Sequence, residues 1–364
     1  MLKVKLLLRK NIEKVKAYQP GKPISEVKRD LGLRRVIKLA SNENPLGPSP
    51  KAVSAILKAL SQLHRYPESS CFYLKNRLAK RFGLEENNFI IGNGSDEIIV
   101  LVLRALLNPG EKVLIAYPTF LIYEIQANAC GAKVIRVPLC RFRYDLKRMK
   151  EKITPEVKIV FIANPDNPTG TYVTDREVKE FMEDIPEKTL VFFDEAYYEF
   201  ASGLPDYPRS LDFLGKKNII VTRSFSKAYG LAGLRIGYGI GSPDLIGYLE
   251  RIREPFNVNS LAQVGALNAL EDKDFLKKTL KTTQEGKKYL YQEFEKLGLT
   301  YIPSATNFIL VDIGRDSAEI SGELLKKGVI VRAMNAWGLN NFIRVTIGTQ
   351  KENEKFVKEL KRIL

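Results

Sequence analysis

One lysine in this 364-residue sequence stands among residues suited to covalent and anion-binding chemistry. In the run Arg223-Ser-Phe-Ser-Lys-Ala-Tyr-Gly-Leu-Ala-Gly-Leu-Arg235, Ser224 and Ser226 bracket an aromatic and Lys227 follows at once. Arg235 comes eight residues later. A lysine kept from water gives up its proton more readily and becomes a nucleophile or Schiff-base former. Serines and an arginine beside it suit a dianion. A solvated loop lysine is the ordinary alternative, but it explains poorly why Gly, Ser and Arg gather here.

Three further segments carry chemistry. Ile91-Gly-Asn-Gly-Ser-Asp-Glu97 follows a strand pattern and opens an apolar helix, so the backbone N–H groups around Gly94, Ser95 and Asp96 favour an anion. A plain capped turn explains that segment equally well. Asp194 ends the apolar run 191–193, where strands of an open α/β sheet present their ligands. A carboxylate there needs a cationic partner, although a helix N-cap is its commoner role. Ile162-Ala-Asn-Pro-Asp-Asn-Pro-Thr-Gly170 has two X-Pro steps and a glycine, which fix a rigid loop around the amide of Asn167.

These segments need a scaffold that ends many strands at one edge. Short apolar runs at 37–40, 89–91, 112–116, 133–137, 157–163, 189–193, 218–222 and 236–239 read as strands of a buried, mostly parallel sheet. Helical patterns lie between them, including 50–63 and 96–107, the latter closed by Asn108-Pro-Gly110. This alternation predicts an α/β domain. After Glu254-Pro255 the pattern changes to long helices over 260–298 and strands at 309–311, 329–333 and 342–346. The expected division is a large domain over 36–255 and a smaller α+β domain of 1–35 with 256–364. Residues 1–35 read as a basic amphipathic opening that ends in a loop with Pro20, Gly21 and Pro23.

Composition narrows the chemistry. Lys and Arg number 58 against 42 Asp and Glu, a surplus of +16, with 45% apolar residues. Such a chain can build a core and is not a disordered tail. The single histidine, His64, rules out a His-rich metal cluster and any His-based nucleophile scheme that does not use it. Beside Arg65 and Tyr66 it reads as a surface or interface residue. Three cysteines without a C-x-x-C pair give no disulfide framework. Residues 1–10 hold an apolar run too short for a signal peptide, and no stretch reaches the ~18–20 apolar residues of a membrane span. A soluble cytoplasmic protein without a membrane role is expected. The positive surplus suggests an anionic polymer. However, no zinc-finger pattern, RNP-like strand or long basic block is present, and lysines alternate with glutamates on helices such as 351–364. No nucleic-acid partner is expected. Together, a phosphate cradle, a carboxylate, a Schiff-base lysine and a fixed amide match the needs of pyridoxal 5′-phosphate.

These segments resemble the fold-type I pyridoxal-phosphate-dependent aminotransferases. The resemblance is closer to the histidinol-phosphate aminotransferases through Ala40-Ser-Asn-Glu-Asn-Pro-Leu-Gly-Pro48, Arg65-Tyr-Pro-Glu68, Pro118-Thr-Phe120 and Ile343-Arg-Val-Thr-Ile-Gly-Thr349. It runs colinearly from about Tyr18 to the C-terminal helix. It implies a mostly parallel central sheet with helices on both faces and a smaller α+β domain. Lys227 is implied as the Schiff-base residue and proton shuttle, with Asp194 on the pyridine nitrogen. Asn167 and Tyr197 are implied on the phenolic oxygen. Phe120, where many relatives have Tyr, is implied on the ring face. Gly94, Ser95, Asp96, Ser224, Ser226 and Arg235 are implied on the phosphate. Tyr66 is implied to reach the neighbouring subunit's cofactor, which requires a homodimer with shared sites. Arg332, Arg344, Tyr18 and Asn42 are implied around the substrate. The expected reaction is transamination of histidinol phosphate with 2-oxoglutarate in histidine biosynthesis. Because an arginine fork binds phosphate and carboxylate alike, an aromatic amino acid aminotransferase and a phosphothreonine-type decarboxylase are the alternatives.

Overall fold

The computed structural model describes residues 7–364. Seven strands form the central sheet: β2 (Phe89–Gly92), β3 (Lys112–Tyr117), β4 (Lys133–Pro138), β5 (Val157–Ala163), β6 (Leu190–Asp194), β7 (Ile219–Ser224) and β8 (Gly237–Gly241). Their order is β2-β8-β7-β6-β5-β3-β4. All neighbours run parallel except β8, which is antiparallel to both β2 and β7. The sheet is apolar on both faces because both are covered. Ile90 enters one core with the helices Ser95–Leu106, Leu121–Ala129 and Asp175–Glu183. Its neighbours Phe89 and Ile91 point the other way, into a core with Pro50–Ala59, Phe72–Phe82 and Ser260–Ala269. This is the mostly parallel α/β architecture anticipated from the strand patterns.

A second, antiparallel sheet has the order β12-β13-β10-β9, built from β9 (Tyr301–Ile302), β10 (Phe308–Asp312), β12 (Arg332–Ala333) and β13 (Phe342–Thr346). Helices Lys273–Lys296 and Gln350–Ile363 close its core through Phe294, Phe356 and Leu360. Gln350–Ile363 starts on a reciprocal cap between Thr349 and Glu352, which satisfies the first free amides.

Three local expectations change. The run 329–333 is not one strand: β11 (Val329–Ile330) pairs in parallel with β1 (Ile37–Lys38), and β12 pairs with β13. The run 37–40 therefore gives a two-residue strand outside the central sheet. A short run opening with three β-branched residues cannot show that the chain changes sheets at Val331. Finally, the loop with Pro20, Gly21 and Pro23 is present but does not end the opening segment. Pro23 leads directly into a helix, Ile24–Leu31, where a proline's fixed φ is compatible with a helix start. Residues 1–6 lie outside the described residues. Among the described residues no helix is long and apolar enough to cross a membrane.

Candidate active site

The carboxyl ends of β5, β6 and β7, the start of helix Ser95–Leu106 and the edge of the second sheet enclose a cavity of about 320 Å³. At one end Gly94 adopts φ +80°, and a Cβ there would lie 2.6 Å from Arg235 Nη2. The glycine thus lets the guanidinium rest against the backbone that opens the helix. Arg235 is itself left-handed at φ +55°. Its Nη1 donates to Ser226 Oγ at 3.4 Å, and its Nη2 pairs with Asp96 at 3.4 Å. Ser224 Oγ accepts from the Ser226 amide at 3.0 Å. Two hydroxyls, a guanidinium and a helix N-terminus therefore converge on one spot, which is the donor set for a phosphate.

Asp194, the last residue of β6, faces the same cavity with 6% of its surface exposed. It accepts from the Ala196 amide at 3.1 Å and from the Tyr123 hydroxyl at 2.6 Å. Burial pushes its carboxyl up to about 6. No cation pairs with it among the described residues. Lys227 is half-buried, with Nζ 3.4 Å from the Ser41 carbonyl and 5.6 Å from the centre of the Tyr197 ring. Burial, then the charge of Arg344, pulls the lysine down to about 8. A buried carboxylate lacking a cation and a lysine whose proton is held less tightly than in water thus share one cavity.

The second sheet supplies the facing wall. Arg344 on β13 lies directly opposite Arg332 on β12. Arg344 Nη1 donates to Asn167 Oδ1, and Nη2 donates to the Ala40 carbonyl at 2.9 Å. Its Nε is buried and has no partner. Because Asn167 Oδ1 is taken, its NH2 remains available as a donor. Arg332 Nη2 donates to the Gln19 carbonyl at 2.6 Å, and its guanidinium lies over the rings of Tyr18 and Trp337. The Tyr197 hydroxyl accepts from Asn42 Nδ2 at 2.7 Å. Asn42 is left-handed at φ +56°, held by Thr346 Oγ1 on its amide and by Asn307 Nδ2 on its carbonyl. Phe120 lines the cavity and meets Tyr123 edge-on at 5.5 Å.

Tyr18, Asn42, Ser95, Asp96, Phe120, Asn167, Asp194, Tyr197, Ser224, Ser226, Lys227, Arg235, Arg332 and Arg344 all border this cavity. Gly94 sits behind Arg235, and Tyr66 lies outside, 81% exposed and stacked on Phe256 at 4.7 Å. His64 is exposed in the turn before it, accepting from Arg65 Nε at 3.3 Å. Sequence reasoning missed Tyr123, although its i+3 spacing from Phe120 on a helix could have found it. It also missed Ser41 and the buried pair Arg223–Glu195 behind the cavity, where Glu195 Oε2 accepts from Arg223 Nη2 at 2.8 Å.

The aminotransferase class I and II profile matches residues 34–360. A histidinol-phosphate aminotransferase of Moorella thermoacetica is 49% identical, over 98% of this chain and 92% of that protein. One from Carboxydothermus hydrogenoformans is 45% identical, over 98% of this chain and 99% of that protein. The chain belongs to the class I and II aminotransferases. Within that family it falls among the histidinol-phosphate aminotransferases. The crystal structure of histidinol-phosphate aminotransferase from Sinorhizobium meliloti in complex with pyridoxal 5′-phosphate superposes with a TM-score of 0.89 at 28% identity, covering 98% of each chain. The shared fold is that of fold-type I aminotransferases.

Proposed function

We propose that this aminotransferase uses pyridoxal 5′-phosphate in the described cavity to transfer the amino group between histidinol phosphate and 2-oxoglutarate, in histidine biosynthesis. The observation that carries the reading is the meeting of Lys227, Asp194, the Arg235 cradle and two opposed arginines in one cavity. The residues present fit the cofactor. Asp194 is a buried carboxylate lacking the cation that a protonated pyridine nitrogen provides. At the other end, a Cβ on Gly94 would strike the guanidinium of the phosphate cradle.

When bound, pyridoxal phosphate supplies the electron sink that stabilises negative charge at the substrate Cα. The chain's residues hold and aim it. The Ser95 amide, Ser224, Ser226 and Arg235 hold the phosphate, and Gly94 and Asp96 shape that end. Asp194 keeps the ring nitrogen protonated. Asn167 Nδ2 and the Tyr197 hydroxyl donate to the phenolic oxygen, and Phe120 covers a ring face. Lys227, whose proton is more easily given up than a solvated lysine's, carries the proton to and from the substrate Cα. Arg344 offers a free buried N–H, and Arg332 faces it across the strands, so either a carboxylate or a phosphate monoester is held there. Tyr18 and Asn42 complete the substrate wall.

The reading extends to assembly. Tyr66 stacks on Phe256 at the surface, and Leu57, Leu60 and Leu63 just before it in the chain are also exposed, a run of apolar surface that suits a second copy. We propose a cytoplasmic homodimer in which Tyr66 reaches the partner's cofactor. We further propose that residues 36–255 form the large domain and that 1–35 with 256–364 form the small one. The test is the half-reaction of the loaded enzyme with histidinol phosphate, phenylalanine and aspartate. Histidinol phosphate is expected to react fastest. A large advantage for phenylalanine would overturn the substrate assignment.

A further inference from the structure

Behind the cavity lies a buried carboxylate that the proposed reaction does not use. Asp166 is 1% exposed and sits between Pro165 and Asn167. Its Oδ1 accepts from Thr119 Oγ1 at 2.7 Å. Its Oδ2 accepts from Thr169 Oγ1 at 2.9 Å and from the Thr169 amide at 3.3 Å. Among the described residues no cation pairs with it. The hydrogen bonds form a directed chain. The Ala163 amide donates to the Tyr144 hydroxyl at 3.3 Å, Tyr144 donates to Thr119 at 2.6 Å, and Thr119 donates to Asp166. A carboxylate ends such a chain well because it only accepts.

The residues tied together are the immediate neighbours of two groups that face the cavity. Thr119 precedes Phe120, and Asp166 precedes Asn167. The two segments leave different strands, β3 and β5. We propose that Asp166 is a positioning residue that locks the Thr119–Phe120 corner to the Asn167–Gly170 loop. The lock fixes the separation of the ring-covering Phe120 from the amide donor Asn167. Trp337 belongs to the same junction, because its Nε1 donates to the Thr119 carbonyl at 2.9 Å. Asparagine at position 166 would turn its NH2 either toward the Thr119 hydroxyl, which would have to reverse the chain to accept, or toward the Thr169 amide, a donor that cannot turn, so shape alone does not satisfy the site.

This inference rests on the cofactor reading for its consequence and not for its geometry, and the test separates the two. Full-length cofactor-free protein is titrated with pyridoxal 5′-phosphate, following the emission of the single tryptophan, Trp337. Asp166→Asn is expected to weaken binding about tenfold or more at a temperature well below unfolding, as loss of a supporting partner does at other sites. In an Asn167→Ala background the same change is expected to cost much less, because the residue acts through Asn167. Thr119→Val, which removes one link and keeps the volume, is expected to weaken binding by a smaller factor, and it serves if Asp166→Asn does not fold. Acrylamide quenching of Trp337 in the cofactor-free variants reads the lock directly and is expected to rise. Wild-type affinity with wild-type quenching in folded variants overturns the proposal, as does a full additive loss in the Asn167→Ala background. If wild-type protein binds no pyridoxal phosphate, the cofactor reading fails and the quenching arm alone decides the lock.

Discussion

Replacing Lys227 with methionine is expected to stabilise the cofactor-free protein while destroying its reaction. The lysine falls from 10.5 to about 8 in the folded chain because burial and then Arg344 oppose its charge. Below pH 8 the folded protein must carry that charge where it is disfavoured, and the unfolded chain carries it in water. The folded-state value lies below the unfolded one, so the cost is complete below pH 8, fades as pH rises and is gone above 10.5. A drop of about 2.5 units at ~1.4 kcal/mol each gives a penalty of up to about 3 kcal/mol at pH 7. Methionine fills a similar space and carries no charge. The variant is therefore expected to gain up to about 3 kcal/mol at pH 7, shrinking to its constant packing term above pH 10.5.

Urea unfolding of both cofactor-free proteins between pH 7 and 10.5 measures this difference. Lys287 is also pulled down to about 8 by burial, but it is present in both proteins and cancels. A stability difference that does not change with pH refutes the reasoning. So does a wild type more stable than the variant at pH 7. The same variant is expected to lose transamination, since methionine cannot carry a proton. Turnover within about tenfold of wild type, roughly 1.4 kcal/mol of barrier, removes Lys227 from the mechanism.

Two further outcomes follow from buried partners. Tyr123→Phe removes the 2.6 Å hydrogen bond to Asp194 and raises that carboxyl further above about 6, so the anion that holds the cofactor forms only at higher pH. A charged-group hydrogen bond of about 1.5–3 kcal/mol is lost, and pyridoxal phosphate affinity is expected to fall more at pH 6 than at pH 8. Parallel affinity profiles for the two proteins contradict this. Arg223→Met strands Glu195, which is buried with a second oxygen already unpartnered, and is expected to cost about 3–5 kcal/mol of stability. Adding Glu195→Gln to that variant is expected to recover part of the loss in thermal unfolding, and no recovery refutes the ion-pair account.

The groups that the strands deliver were legible because strand ends are local features. Asp194 ends β6, Ser224 ends β7, and the Asn167 loop follows β5, so each could be read from an apolar run and the residues after it. Partnerships between distant segments were not legible. Arg344 holds the oxygen of Asn167 across 177 residues, and Asn42 donates to Tyr197 across 155. Nothing in either segment states that meeting. Likewise, the run 329–333 carries no sign that it splits between two sheets, because β-branched residues suit either pairing. The direction of β8 was hidden for the same reason.

That division has a chemical consequence. Asp194 ends a strand of the seven-stranded sheet and Lys227 follows another, whereas Arg332 and Arg344 lie on strands of the four-stranded one. The groups proposed for proton transfer and for recognition of the acidic group therefore belong to different sheets, linked at the cavity by Arg344–Asn167 and Asn42–Tyr197. Both joints end on groups assigned to the same phenolic oxygen. An acid that takes the free Nε–H of Arg344 binds the same guanidinium that holds Asn167, so occupancy of the arginine wall is felt at a donor that faces the cofactor. The basic surplus of the chain can attract an anion to the protein. These two joints connect the arginine wall to groups that face the reacting end.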